Sequence, residues 1–167
     1  MDRAGLREAQ QPLKDQYRSD PASALVTLRA TGRLDEGVSC SVQTGQAIAA
    51  AGLHPASGGD GSLLCSGDML LEALAACAGV TLRAVATSLE LDVDGTVHAE
   101  GELDFRGTLG VDRDVPVGFQ SIRVRFELKT DADDEQLETL LRLTQRYCVV
   151  FQTLASPPEL SFASTRS

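Results

Sequence analysis

The sequence predicts an α/β (α+β) fold in which antiparallel strands surround one long central helix. Three observations carry this. The run Gly67 to Ala86 is rich in Leu, Ala and Met, contains no proline, and follows a glycine-rich loop. Downstream, Val93, Val97, Ala99, Leu103 and Phe105 alternate with polar residues, and Ile122, Val124, Phe126 and Leu128 do the same. That period of two marks a pair of strands with one face buried and one in water. Finally, Leu137, Leu140, Leu141 and Leu143 gather on one side of a helix that opens with Asp131, Asp133, Asp134 and Glu135. With 167 residues, 43% of them hydrophobic, the chain is long enough for one well-packed domain and short for two.

Residues 1–20 are polar, with a weak helical pattern through Leu6 to Tyr17 and a stop at Pro21, and read as an appendage to a single domain over 21–167. Ala24 to Thr31 and Val38 to Gln43 suit strands, and the stretch Thr31 to Gly37 between them suits a hairpin loop that places Arg33 at a turn. Ala47 to Leu53 suits a short edge strand. The glycines of His54 to Ser62 predict a loop, but no Gly-Lys-Ser/Thr ending and no Gly-x-Gly-x-x-Gly follows, which argues against nucleotide phosphate binding. Ser66 or Asp68 is placed to cap the central helix. That helix is apolar almost all round, with one polar stripe of Asp68, Glu72, Gly79 and Arg83, the pattern of a buried element. His98 falls on the polar side of its strand, and Gly107 to Gly118 connects the two strands. The last helical run passes through Cys148 to Leu154 and ends before Pro157-Pro158, leaving Glu159 to Ala163 as a final strand.

The formal net charge of -9, with no basic stripe, argues against nucleic acid or an anionic membrane surface as partners. Asp68, Glu72 and Arg83 interrupt the longest apolar run, and no leader pattern opens the chain, so a soluble cytoplasmic protein is expected. The four cysteines, at 40, 65, 77 and 148, form no Cys-x-x-Cys and have no nearby histidine pair. Neither a zinc ribbon nor a disulfide scaffold fits, and no metal or cofactor is expected. Cys77 sits in the middle of the central helix and shares its face with Ala73, Leu74, Val80 and Thr81. Such a thiol can be a small core hydrophobe. To be reactive it needs a cation or a second thiol from elsewhere, because the field of the helix terminus fades within the first turn. Spacing alone leaves Cys40, Cys65 and Cys148 all open as that second thiol.

Three stretches together resemble the OsmC/Ohr family of organic hydroperoxide-reducing proteins. One is Gly58-Gly59-Asp60-Gly61 followed by Gly67 to Cys77; another is Cys148-Val149-Val150-Phe151-Gln152-Thr153-Leu154; the third is the strand-loop-strand block from Val93 to Lys129 around Asp104-Phe105-Arg106-Gly107. The resemblance implies an OsmC-like fold in which two chains intertwine as a homodimer with two identical sites at their interface. It implies that Cys77 attacks an organic, or fatty-acid, hydroperoxide, that Cys148 resolves the resulting sulfenic acid to a disulfide, and that an external dithiol reduces that bond. The family's activating arginine falls nearest Arg33, and the acidic residue that orients it falls on Asp68. The chain departs from the family in having Val149 where proline usually follows the second cysteine, and Asp68 where glutamate is usual. Nine helical residues separate Asp68 from Cys77, which puts them on opposite faces and roughly 13 Å apart along the axis. Asp68 must therefore cap the helix, hold an arginine or serve a partner chain. The competing reading is a dimer that binds a small apolar ligand, with both cysteines as core residues.

Overall fold

The computed structural model describes residues 2–5, 7–8, 10–11, 19–20, 31–34, 39–44 and 47–166. Strands β1 (Thr31–Leu34), β2 (Ser39–Thr44), β3 (Ala47–Gly52) and β4 (Leu64–Cys65) form one sheet in that order. The first three are antiparallel, and β4 runs parallel to β3 through only Ala51↔Leu64 and Gly52↔Cys65. Helix α1 (Ser66–Leu89) follows directly. A second, two-stranded sheet pairs β5 (Val93–Leu103) antiparallel with β6 (Phe119–Thr130), from Val93↔Thr130 to Leu103↔Phe119. The one-turn helix α2 (Phe105–Thr108) lies between them, and α3 (Asp134–Tyr147) and α4 (Val149–Ala155) complete the order.

The β5–β6 ladder has the alternation read from the sequence. Val97, Ala99, Ile122, Val124 and Phe126 pack toward α1, while Glu100, Glu102, Arg123, Arg125 and Glu127 stay exposed. Gly95 has φ +144°, and a Cβ there would stand 2.0 Å from the Glu127 carbonyl oxygen, so this ladder admits only glycine at that position. The acidic cluster before α3 resolves into a capping box. Gln136 N donates to Asp133 Oδ1 at 2.9 Å, and Asp133 N donates to Gln136 Oε1 at 3.0 Å. Asp134 and Glu135 follow in the first turn, where the helix dipole favours them.

Four expectations are corrected. Arg33 lies within β1, opposite Ser41, and not at a hairpin turn, because the β1–β2 ladder outweighs the turn signal of Gly32; the expected strand over 24–30 falls outside the described residues. Strand β3 is interior in its sheet, although β4 covers only its last two residues. Glu159 to Ala163 is exposed coil, since no strand among the described residues offers it a ladder. Helix α1 is not buried all round: Leu74, Ala78, Leu82 and Ala86, four residues apart, form its one buried stripe, and Val80 is 72% exposed.

That stripe is the axis of the core. Leu82 and Ala86 pack with Val93 and Leu140, joined by Leu137 and Phe126. Leu74 and Ala78 pack with Cys148, joined by Cys77, Val124 and Phe151. Arg83, from the polar stripe, donates to the Val93 carbonyl and ties α1 to the start of β5.

Candidate functional site

Two elements bring the central cysteines together. Cys77 rides on the middle of α1, beside the buried Leu74 and Ala78. Cys148 stands at the break between α3 and α4, as the C-cap of one and the N-cap of the other, with extended backbone at φ -71° and ψ 106°. Its N–H donates to Thr144 O at 2.9 Å, and its carbonyl accepts from Gln152 N at 2.9 Å. The Gln152 side chain spans the break, donating to Gln145 O at 2.8 Å. With both backbone groups of Cys148 and the two flanking turns bonded, the bend is fixed, and it turns the thiol inward until only 1% of the residue is exposed.

Cys77 packs against the cluster that buries Cys148, and their surroundings push the two thiols in opposite directions. Burial raises the Cys77 thiol, but the N–H of Val150, the Cys148 thiol, the N–H of Val149 and the Thr81 hydroxyl together outweigh burial and hold it below the ordinary cysteine value. Burial is also the largest influence on Cys148, the bond to Cys77 and the Cys77 charge add to it, and the N–H groups of Phe151 and Val150 only partly offset it, so this thiol is raised. Of the two, Cys77 is therefore the thiol that gives up its proton first.

Of the two partners the sequence left open for Cys77, a cation or a second thiol, the Cys148 thiol is among the groups that lower it. Among the described residues, backbone N–H groups at the start of α4 and a hydroxyl one turn along α1 lower the thiol, and no basic side chain contributes. Thr81 was legible as a residue on the Cys77 face; the amides carry no sequence signal. Arg33 is placed by its backbone on β1, and its side chain is outside the described residues. Asp68 is exposed in the first turn of α1 and makes no hydrogen bond or ion pair among the described residues. Neither it nor Ser66 caps the helix: Cys65 occupies the N-cap, without a side-chain bond.

Cys65, Cys77 and Cys148 are all free thiols. From the N-cap, Cys65 is roughly 18 Å from Cys77 along the axis of α1, which removes it as the second thiol. Cys40 lies in β2 opposite Leu34 and Ala51, with its side chain outside the described residues. Among the described residues no three His, Cys, Asp or Glu side chains gather where they could hold a metal ion. His54 is occupied structurally, its ring stacked 5.0 Å from that of Phe105 and its Nδ1 accepting from Ala56 N.

A family model described as OsmC-like protein matches residues 59–163. No curated protein matches the chain. Among solved structures, an OsmC-like protein from Mycoplasma pneumoniae has 16% identity and a TM-score of 0.67, with 79% of this chain and 89% of that one covered. An OsmC-like protein of unknown function from Vibrio cholerae has 12% identity and a TM-score of 0.63, with 77% and 94% covered. The organic hydroperoxide resistance protein OhrB of Bacillus subtilis has 18% identity and a TM-score of 0.52, with 79% and 93% covered. At these identities the likeness is one of fold.

Proposed function

The chain belongs to the OsmC-like family, and from that premise we propose that it is a thiol-dependent peroxidase that reduces organic hydroperoxides through Cys77 and Cys148. The observation that carries the reading is the packing of the half-buried Cys77, whose thiol is lowered, against the apolar cluster that buries Cys148, whose thiol is raised. In the proposed cycle the Cys77 thiolate attacks the peroxide oxygen, the O–O bond breaks, and the departing alkoxide takes a proton to leave as the alcohol. Cys77 is then a sulfenic acid. The Cys148 sulfur attacks it, the S–O bond breaks, water leaves, and a disulfide joins the two residues. An external dithiol returns both thiols by exchange, and the cycle needs no cofactor.

The apolar residues around the pair, including Val124, Phe126 and Phe151, favour an alkyl or aryl peroxide over hydrogen peroxide. The reading assigns Arg33 as a further positive charge on the thiolate and Asp68 as the carboxylate that orients it. Since Asp68 lies half a helical turn round from Cys77, this service runs between two copies of the chain. The exposed apolar side chains that flank the pair support such a homodimer: Val80 and Val149 are 72% and 69% exposed in the single chain. A reducing, cytoplasmic setting suits a disulfide that is made and broken in each turnover.

The test follows cumene hydroperoxide in the presence of a dithiol. Wild-type protein should consume it, Cys77→Ser should not, and Cys148→Ser should stop after about one equivalent or lean on the added dithiol to resolve the sulfenic acid. Equal consumption by wild type and Cys77→Ser would refute the proposal and return both cysteines to the core of a binding protein.

A further inference from the structure

Of the residues within four positions of Cys77 on α1, Thr81 alone has a polar side chain. It stands one turn further on, on the same face, and since helical side chains lean toward the N-terminus it leans back toward Cys77. Side chains at this spacing are neighbours, with about 5 to 6 Å between their Cβ atoms. Both residues are half-buried, at the edge of the core and not inside it, beside the exposed Ala73, Ala76 and Val80. A helical threonine often returns its hydroxyl to a carbonyl one turn back. Thr87 does so, donating to Arg83 O at 2.8 Å, and Thr81 makes no such bond among the described residues. Its hydroxyl is instead among the groups that hold the Cys77 thiol down.

A hydroxyl has one hydrogen to give and lone pairs that accept. With that hydrogen directed at the sulfur, the Thr81 oxygen is left to accept a bond from a second molecule standing beside the sulfur. An organic hydroperoxide has one O–H, on its terminal oxygen, and the terminal oxygen is the one a thiolate attacks. In the apolar setting of Val124, Phe126 and Phe151 that O–H loses its water and needs a partner. We infer that Thr81 is a further catalytic residue, whose oxygen accepts the peroxide O–H and holds the terminal oxygen against the Cys77 sulfur. The inference rests on the peroxidase reading and deepens it, since it names the side chain that orients the substrate for attack. Thr81 itself gains and loses no proton. The peroxide hydrogen stays on the terminal oxygen as this becomes the sulfenic acid, and water protonates the departing alkoxide.

Thr81→Val keeps the shape of the side chain and removes the hydroxyl; Thr81→Ser keeps the hydroxyl. Consumption of cumene hydroperoxide with a dithiol is compared with alkylation at Cys77 by iodoacetamide, at a pH where alkylation has reached its plateau in every protein and Cys77 is fully ionised. There Thr81→Val should alkylate like wild type, yet its kcat/KM for the peroxide should be lower by about fivefold to tenfold, the worth of one hydrogen bond. Thr81→Ala, which cannot overcrowd the site, should show the same loss, and Thr81→Ser should match wild type. A peroxide rate in Thr81→Val and Thr81→Ala equal to that of wild type, a deficit that vanishes at the alkylation plateau, or a Thr81→Ser as slow as Thr81→Val would each overturn the inference. The two readings fail separately. Peroxide consumption by Cys77→Ser as fast as by wild type removes the peroxidase and this inference with it, whereas an inactive Cys77→Ser beside a fully active Thr81→Val removes this inference alone.

Discussion

At the scale of residues, the asymmetry between two chemically identical side chains is the most informative feature of the chain. Cys77 is lowered by donors that reach it from another element, and the Cys148 thiol is one of them. Removing that donor in Cys148→Ala should move the inflection in the pH dependence of Cys77 alkylation upward, toward the value of an unfolded thiol; an unmoved inflection would show that the two sulfurs do not communicate. The direction follows from which form is bonded: the donor stabilises the thiolate, so its loss favours the thiol. Above the pH at which an unfolded cysteine ionises, wild type and variant should converge, because both are then fully ionised. Val149 offers a finer test. Its N–H is another donor to Cys77, and the family's usual proline has none. Proline is tolerated in the first turn of a helix, and the extended backbone of Cys148 is compatible with a following proline. Val149→Pro should therefore fold, and should alkylate at Cys77 about fivefold more slowly at neutral pH, the worth of one hydrogen bond.

At the scale of elements, the position of Cys148 depends on how α3 begins and packs. The Asp133–Gln136 capping box fixes the start of that helix, and Leu140, fully buried, fixes its face against α1 and β5. Asp133→Ala should lower the stability of the chain by about 1 kcal/mol. Leu140→Ala should lower it by about 2 to 5 kcal/mol, since the cavity would open between Leu82, Ala86 and Val93, where little can collapse into it. Chemical denaturation with an unchanged slope would measure both losses; a change in slope would mean that the variant had altered the unfolded or native state itself.

For the whole molecule, the striped burial of α1 is the fact that most needs an explanation. By length and composition this helix could cross a bilayer, yet its one buried stripe is the core of the chain and much of the rest of its apolar surface lies open. The proposed homodimer would cover that surface with a second copy of the chain. Sedimentation should give the mass of a dimer, and Val80→Glu, which puts a charge on the open side of α1 beside Cys77, should shift it toward a monomer. A wild-type monomer at micromolar concentration would remove the proposed shared site.

Local patterns in the sequence determined the elements. Period-two alternation gave β5 and β6, leucine spacing gave α3, the acidic cluster marked its start, and a place in the middle of the central helix singled out Cys77 among the four cysteines. These are properties of neighbours along the chain, and neighbours along the chain decide helix and strand. The packing of Cys77 against the cluster that buries Cys148 and the amides at the start of α4 come from elsewhere, because packing brings together groups whose separation in sequence carries no trace of their separation in space. Backbone N–H groups are the same in every residue but proline, so no sequence pattern could have named Val149 and Val150 as the donors that lower a thiol 71 positions before Cys148. Only the fold of α3 and α4 onto the middle of α1 decided which of the two thiols is lowered and which is raised.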